Sequence, residues 1–584
     1  MKCDPSVAAS ANITNIMQQL GFHDLKSFHH WTTQHYQEFW AMMCERLGIR
    51  FKTKPTSTCD LSQGIETPRW FPDASMNIVD SCFNADPQAT AIIYQDKQQL
   101  RHVSYEKLQH LVNQVANSLV QSKFKTGDAI GIAMPMDYRA VAIYLGIIKM
   151  GGVVVSIADS FSTQEMSVRL RIANAKAVFT QDVIMRGDKI IPLQEKVTLT
   201  GVAKIFTLSA DGTWPDFLNN ETNFTAVSCD PMTACNILFS SGTTGEPKAI
   251  PWNHTTPIKA ASDAFFHQNI KPGDVLAWPT NLGWMMGPWL VFASLINHAT
   301  IALYTDLPKD RAFGEFVTQA RVTMLGVVPT LVASWRQSHC MENLDWSAIK
   351  VFSSTGECSN PDDMHYLMML AGGKPVIEYC GGTEIGGAYL SSTVIEDNYP
   401  SIFTTATMGN HFTILADGEV ALIPPSLGLS TTLLNNNHHK VYFADMPTLT
   451  NGTPLRRHGD QLTQLDNGYY TIQGRVDDTM NLGGIKVSSA EIERALVGLD
   501  NIIETAAIAI SPPNNGPSLL VIYAATTAQL DKQSVQKLMQ QRINQRINPL
   551  FKIHDVIFVN ELPKTASNKI MRRVLRDKAM AECL

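Results

Sequence analysis

No two of the ten cysteines are spaced as CxxC, and none stands at metal-ligand spacing from a histidine; they are scattered from Cys3 to Cys583. This excludes a zinc ribbon or a disulfide scaffold and predicts a reduced, cytoplasmic chain. The opening MKCDPSVAAS lacks the apolar core of a signal peptide. The closing Glu582-Cys583-Leu584 lacks the basic penultimate residue of a peroxisomal address. Positive charge is not in excess either. The net charge of −6 excludes a nucleic-acid partner held by a basic surface, so any anionic ligand must be gripped by local groups. The longest apolar stretch, Ala140 to Ala158, is broken by Lys149 and Gly151-Gly152. It predicts a buried helix followed by a buried strand, with no transmembrane segment. Internal repeats and low-complexity blocks are missing, as is the Walker spacing GxxxxGK[ST].

What is present is a globular composition: 584 residues, 45% hydrophobic and 17% charged, too long for one ordinary core. Residues 1–70 hold an amphipathic stretch from Tyr36 to Leu47 and then a polar connector, an extension packed on the main body. Ala91–Tyr94 is β-like; Leu108, Leu111, Val112, Val115 and Leu119 follow helical spacing behind a Ser104 N-cap. Ala129–Met134 and Val153–Ile157 read as apolar strands flanking a helix over Ala140–Lys149, and similar units recur at Arg321–Val328 and Lys350–Ser353. Strands alternating with helices predict an α/β fold of parallel sheets covered on both faces. The last hundred residues change character. A helix from Ser489, strands at Ile502–Ile510 and Leu519–Ala524, and a helix from Lys532 predict a small α+β domain.

The most informative segment is Ile237 to Lys248, ILFSSGTTGEPK. An apolar strand runs into Ser240, Ser241, Gly242, Thr243, Thr244 and Gly245, then Pro247 and Lys248. Glycines let a backbone approach a ligand and aim its N–H groups at it; four hydroxyls and one ammonium add donors suited to phosphate oxygens. Such clusters also make plain polar turns, so the context decides.

That context is a resemblance. The segment resembles the ATP phosphate loop of the superfamily of acyl- and aryl-CoA synthetases, adenylation domains and luciferases, and further segments follow in that family's order. Ser354-Thr355-Gly356-Glu357 is similar to the stretch lining the adenine pocket, which implicates Gly356 and Glu357. Tyr379-Cys380-Gly381-Gly382-Thr383-Glu384 resembles YGxTE. The resemblance implies that Thr383 contacts the α-phosphate and the acyl carboxylate, that Glu384 holds Mg²⁺, and that Gly382 with Tyr379 or Cys380 borders adenine. Arg456-Arg457-His458-Gly459-Asp460 resembles YxTGD, with Asp460 on the ribose hydroxyls; the Tyr and Thr are replaced.

Gly468 to Asp478 resembles the segment ending in GRxDD, which places Ile472 at the nucleotide, Arg475 on a phosphate and Asp477 at the pivot between domains. NLGGIKVSSAEIE continues the likeness. Lys486 stands where relatives carry arginine, and Gly484 adjoins the pantetheine of CoA. LPKTASNKI is similar to PKTxSGK, making Lys569 the catalytic lysine, with Asn568 for glycine. A compact ammonium suits the anionic encounter of a carboxylate with ATP.

The likeness spans nearly the whole chain and is strongest to acetyl-CoA synthetases and plant-type acyl-activating enzymes. It implies a large adenylate-forming domain over 71–476, including a β-subdomain, and a mobile small domain over 477–584. In MRGDKIIPL, Arg186 and Lys189 are the candidates for the nucleotide phosphates of CoA, while a third family arginine falls on Asn544, flanked by Arg542 and Arg546. Trp284 and Met285 line the expected acid pocket. Gly381 stands where acetate-specific relatives close that pocket with tryptophan, which predicts an acid longer than acetate. The implied reaction is ATP-dependent formation of acyl-AMP and transfer to CoA, with Mg²⁺. Acetyl- or propionyl-CoA synthesis, carrier-protein loading, an oxidative luciferase-like activity and a non-catalytic nucleotide sensor are the rivals.

Overall fold

The computed structural model describes residues 2–96, 99–187, 189–214, 216–240, 246–476, 479–482, 485–510, 518–547, 551–565 and 569–582. The chain divides into two compact units, Met1–Phe412 with Leu422–Arg457, and Thr413–Ala421 with His458–Leu584.

In the first unit, a six-stranded sheet runs Ile205–Leu208, Ala177–Gln181, Ala129–Ala133, Val153–Ile157, Ala234–Ser240, Lys248–Asn253, parallel except for the last pair. The strands Ala129–Ala133 and Val153–Ile157 are buried at every position, which is why they read as predominantly apolar runs. Helices cover them. Tyr105–Gln121 begins at Ser104, whose side chain accepts from the Lys107 N–H, and Tyr138–Lys149 begins at Asp137, which accepts from Arg139 and Ala140. A nine-stranded sheet takes the order Thr405–Ala406, Gly387–Ser391, Val376–Gly382, Val351–Ser354, Met324–Val327, Val275–Ala277, Thr300–Leu303, Thr90–Asp96, Gln99–Ser104. Its centre is parallel and its two margins antiparallel.

The amino-terminal helices belong to this same core. Phe28 and Phe39 meet Phe266 at ring separations of 5.9 and 6.0 Å. Thr32 accepts the Gly409 N–H at 3.0 Å. Gly409 has φ 76, and a Cβ there would lie 2.8 Å from the Trp40 indole.

The second unit carries most of a four-stranded sheet ordered Phe412–Ile414, Glu419–Leu422, Arg456–Gln464, Tyr470–Arg475, its last two strands antiparallel, then an antiparallel pair, Thr479–Leu482 with Ile485–Ser488. A three-stranded sheet, Glu504–Ile510, Leu519–Ala525 and Ile553–Val559, packs with helices Ser489–Leu496, Lys532–Arg546 and Arg572–Glu582. Arg542 donates to the Val497 and Gly498 carbonyls at 2.5 and 2.8 Å, and Arg546 to Ala495 at 3.2 Å. These cations therefore satisfy the open carbonyl end of the helix Ser489–Leu496. No described helix is long and apolar enough to cross a membrane.

Candidate active site

The segment expected to hold phosphate is bounded by two paired strands, Ala234–Ser240 and Lys248–Asn253. Ser240 and Lys248 are direct partners in the antiparallel register. Ser241, Gly242, Thr243, Thr244 and Gly245 lie outside the described residues. Across the mouth stands Glu384. Its Oε1 accepts from Ser240 Oγ at 3.0 Å and lies 3.1 Å from Lys248 Nζ. Trp252 Nε1 donates to the Thr383 carbonyl at 2.8 Å, and the Ser430 N–H donates to the Glu384 carbonyl at 2.8 Å. Thr383 and Glu384 are thus held through their backbone carbonyls.

Metal capacity follows from this donor set. Among the described residues no group of three or more His, Cys, Asp or Glu could hold a metal ion. A single carboxylate beside a phosphate loop fits a Mg²⁺ that arrives on its nucleotide and completes its shell with phosphate and water oxygens.

Behind the mouth lies Arg456, which is 1% exposed. Its Nη2 donates to Ser430 Oγ at 2.8 Å, and its Cζ is 4.0 Å from the Tyr442 ring centroid. Burial lowers its proton affinity, opposed by Tyr442 and Glu384. Lys248 Nζ stands 5.3 Å from the same ring. Sequence reasoning missed Trp252, Ser430, Tyr442 and the role of Arg456. The signal available was Arg456 itself, which stands in the place of the aromatic in the Gly459-Asp460 motif.

The adenine assignment requires a correction. Tyr379 is 1% exposed; its hydroxyl donates to Asp263 Oδ2 at 2.6 Å and accepts from Trp289 Nε1 at 3.0 Å. It is a core residue and not a face for adenine. Cys380, the next residue along, is partly exposed, with Sγ 3.5 Å from the Tyr389 hydroxyl. Gly382 accepts the Ile385 N–H at 2.9 Å. Gly356 has φ 98, and Glu357 accepts from the Thr330 N–H at 3.3 Å and its hydroxyl at 3.4 Å.

Gly381 is also corrected. A Cβ there would lie 2.5 Å from Ala388 Cα and closer still to the Gly387 carbonyl oxygen. The missing side chain is required by strand pairing and does not open onto a vacant slot. Trp289 is fully buried against Tyr379 and Trp278, whereas Trp284 is partly exposed and meets Phe161 edge-on at 5.2 Å. Met285 caps the helix Met286–Ile296 and packs with both apolar clusters around it.

Arg186 and Lys189 are opposed on the hairpin Ile184–Arg186 with Lys189–Ile191. Lys189 is exposed. Arg186 is engaged, 2.6 Å from Asp159 and donating to the Thr305 carbonyl. Burial raises the Asp159 pKa, countered by Arg186 and Lys196.

In the second unit, Asp460 and Arg475 are direct partners across antiparallel strands, and Ile472 pairs with Leu462. Asp460 is nearly buried, with Oδ2 3.0 Å from His458 Nε2. Lys569 is exposed, and its carbonyl accepts the Thr565 N–H at 2.7 Å. Lys486 lies on the strand Ile485–Ser488. Asp477, Gly484 and Asn568 fall outside the described residues.

The fold is that of an adenylate-forming enzyme. Residues 80–426 match the AMP-binding enzyme family, 25–82 the acetyl-coenzyme A synthetase N-terminus, and 491–569 the AMP-binding enzyme C-terminal domain. The chain belongs to the AMP-binding enzyme family. It is 41% identical to "Probable acyl-activating enzyme 17, peroxisomal" of Arabidopsis thaliana over 98% of this chain and 87% of that one. It is 42% identical to "Hexanoyl-CoA synthase" of Cannabis sativa over 98% and 88%. An acetoacetyl-CoA synthetase structure from Streptomyces lividans superposes with a TM-score of 0.89 at 23% identity, covering 98% and 94%, which establishes the shared fold.

Proposed function

We propose that the protein is an AMP-forming acyl-CoA synthetase, an acid–thiol ligase acting on an acid larger than acetate. The observation that carries this reading is the convergence of Ser240, Lys248 and Glu384 at the mouth of the phosphate loop in a member of the AMP-binding enzyme family. In the first half-reaction a carboxylate oxygen attacks the α-phosphorus of ATP. The bond to the bridging oxygen breaks, releasing pyrophosphate and leaving acyl-AMP. Lys248 and the loop hydroxyls hold the triphosphate, Thr383 orients the α-phosphate and the carboxylate, and Asp460 accepts the ribose hydroxyls. Arg475 and Lys569 offset charge as it develops. Mg²⁺ bound with the nucleotide supplies further charge neutralisation beside Glu384. In the second half-reaction the CoA thiolate attacks the acyl carbon, expelling AMP and giving the thioester; Lys189 and Arg186 hold the CoA phosphates.

The small domain is proposed to turn about Asp477, so that one site serves both steps. Asp477→Pro then spares pyrophosphate exchange and abolishes thioester formation; equal loss of both contradicts the pivot. The preference for a longer acid rests on the hexanoyl-CoA synthase relative rather than on Gly381. Cytoplasmic residence remains our reading of the scattered cysteines, although the first Arabidopsis relative is named peroxisomal; imaging of the tagged full chain separates the two.

The test is AMP release with acids from acetate to decanoate, with and without CoA. Highest kcat/KM above acetate and AMP turnover dependent on CoA are expected. Turnover only with a carrier protein, or highest kcat/KM on acetate, overturns the corresponding part.

A further inference from the structure

The segment between Ser430 and Arg456 has no part in the reaction above, yet it grips Lys248 from two sides. Asn435 spans the backbone around that lysine: Oδ1 accepts the Ala249 N–H at 3.0 Å and Nδ2 donates to the Pro247 carbonyl at 2.9 Å. The Leu434 N–H adds a bond to the Ala249 carbonyl at 3.1 Å. Asn437 then caps the short helix His438–Tyr442 by accepting the Lys440 N–H. That helix places Tyr442 in a cluster with Leu238, Ile250, Trp252, Leu433 and Phe443, drawn from both strands of the loop and from the segment itself.

At the ring, two cations meet. Lys248 Nζ is 5.3 Å from the Tyr442 centroid and Arg456 Cζ is 4.0 Å away. Arg456 Nε and Nη1 are buried and have no hydrogen-bond partner among the described residues, so the ring face and Ser430 are its main anchors. Cations over a desolvated aromatic face are attracted by the ring quadrupole. The Glu384 carboxylate is the other partner of Lys248. A phosphate entering the loop must compete with that carboxylate for the ammonium, whereas the ring cannot be displaced by an anion and keeps its hold.

We propose that Asn435 and Tyr442 are positioning residues of the adenylation step. Asn435 fixes the backbone of Lys248, and Tyr442, backed by Arg456, keeps the ammonium in place when Glu384 gives it up to the triphosphate. This rests on the functional reading above, in which Lys248 meets phosphate. The alternative is that both residues only fill space in a small apolar cluster.

The two are separated by double-mutant cycles on the full chain, read as ATP–pyrophosphate exchange, MgATP affinity by calorimetry, and thioester formation from supplied acyl-AMP. Asn435→Ala and Tyr442→Leu are each expected to weaken MgATP binding about tenfold, the effect of one modest contact. Tyr442→Phe, which retains the ring, restores most of that loss. In a Lys248→Ala background both effects vanish, because the group they position is gone, while thioester formation from acyl-AMP is spared throughout. Losses that add in both backgrounds, or that strike both half-reactions equally, overturn the proposal. Should Tyr442→Leu fail to fold, the Asn435→Ala cycle decides alone. A wild-type chain that neither binds MgATP nor exchanges pyrophosphate overturns the functional reading, and this inference with it.

Discussion

Tyr379 donates a 2.6 Å hydrogen bond to Asp263, joining the strand that leads into Thr383 and Glu384 to the buried helix Thr256–Phe266. Asp263 also accepts the Ala388 N–H at 3.1 Å and is paired with the fully buried Lys259, which donates to Thr407 at 3.0 Å. Burial lowers the Lys259 pKa and Asp263 opposes that shift. Asp263→Ala strands the ammonium in the core, and we predict a loss of about 3–5 kcal/mol in denaturant unfolding. Tyr379→Phe removes one neutral donor and is expected to cost about 1–3 kcal/mol. Tyr379→Phe should leave the KM for ATP unaltered, since the ring does not face nucleotide; a raised KM at unchanged stability contradicts the corrected assignment.

Substituting Gly381 tests the other correction. A Cβ at this position collides with the backbone of the strand Gly387–Ser391. Gly381→Ala should therefore lose at least about 1–3 kcal/mol to overpacking, with pyrophosphate exchange falling for every acid alike. Gly381→Trp should yield no acetate-selective enzyme. Measured kcat/KM on acetate and hexanoate, beside a melting curve, decides it: a stable variant that gains acetate at the expense of hexanoate restores the vacant-slot reading.

Burial pushes the Glu378 carboxyl up to about 7, opposed by hydrogen bonds from Ser359 and Ser401. Between the ordinary carboxylate pKa and about 7 the unfolded chain sheds a proton that the folded chain keeps. Stability therefore declines through that window as pH rises, by up to about 3 kcal/mol, and levels off above it. Glu378→Gln has no proton to lose, so the variant should gain on the wild type between pH 5 and pH 8. Parallel stability–pH curves for the two proteins count against a neutral Glu378.

Lys569 is exposed and its backbone is fixed by Thr565. Lys569→Ala is expected to cut pyrophosphate exchange by about 10²–10³-fold, the scale of one lost transition-state donor, with thioester formation from supplied acyl-AMP retained. A common fall in both half-reactions would remove it from the chemistry of the first.

Much of this was legible before the structure. Apolar-rich runs such as Val153–Ile157 announced buried parallel strands, Ser104 announced a helix start that its capping bond realises, and the helix expected from Ser489 begins there, capped by Ser488. Two points stayed beyond the sequence, each for its own physical reason: which of Tyr379 and Cys380 faces outward, and what space lies beside Gly381. Along a strand the side chains alternate faces, so a motif that fits with one residue of slack leaves the direction of its aromatic undetermined. Tyr379 points into the core, and Cys380 does not. Gly381 was read as empty space because a sequence does not report that the neighbouring strand already fills it. Asn435 was silent for a different reason: its partners at Pro247 and Ala249 are nearly two hundred residues away in the chain, beyond the reach of any local pattern.

The seating of the Trp40 indole against the bare backbone of Gly409 makes one heritable unit of two distant codons. A methyl group at 409 evicts the indole, and a smaller residue at 40 leaves a hole, so neither position drifts without the other. The helical prologue therefore cannot be exchanged between homologues as an independent cassette. Chimeras joined between residues 50 and 80 should accumulate as insoluble material unless position 409 travels with the graft.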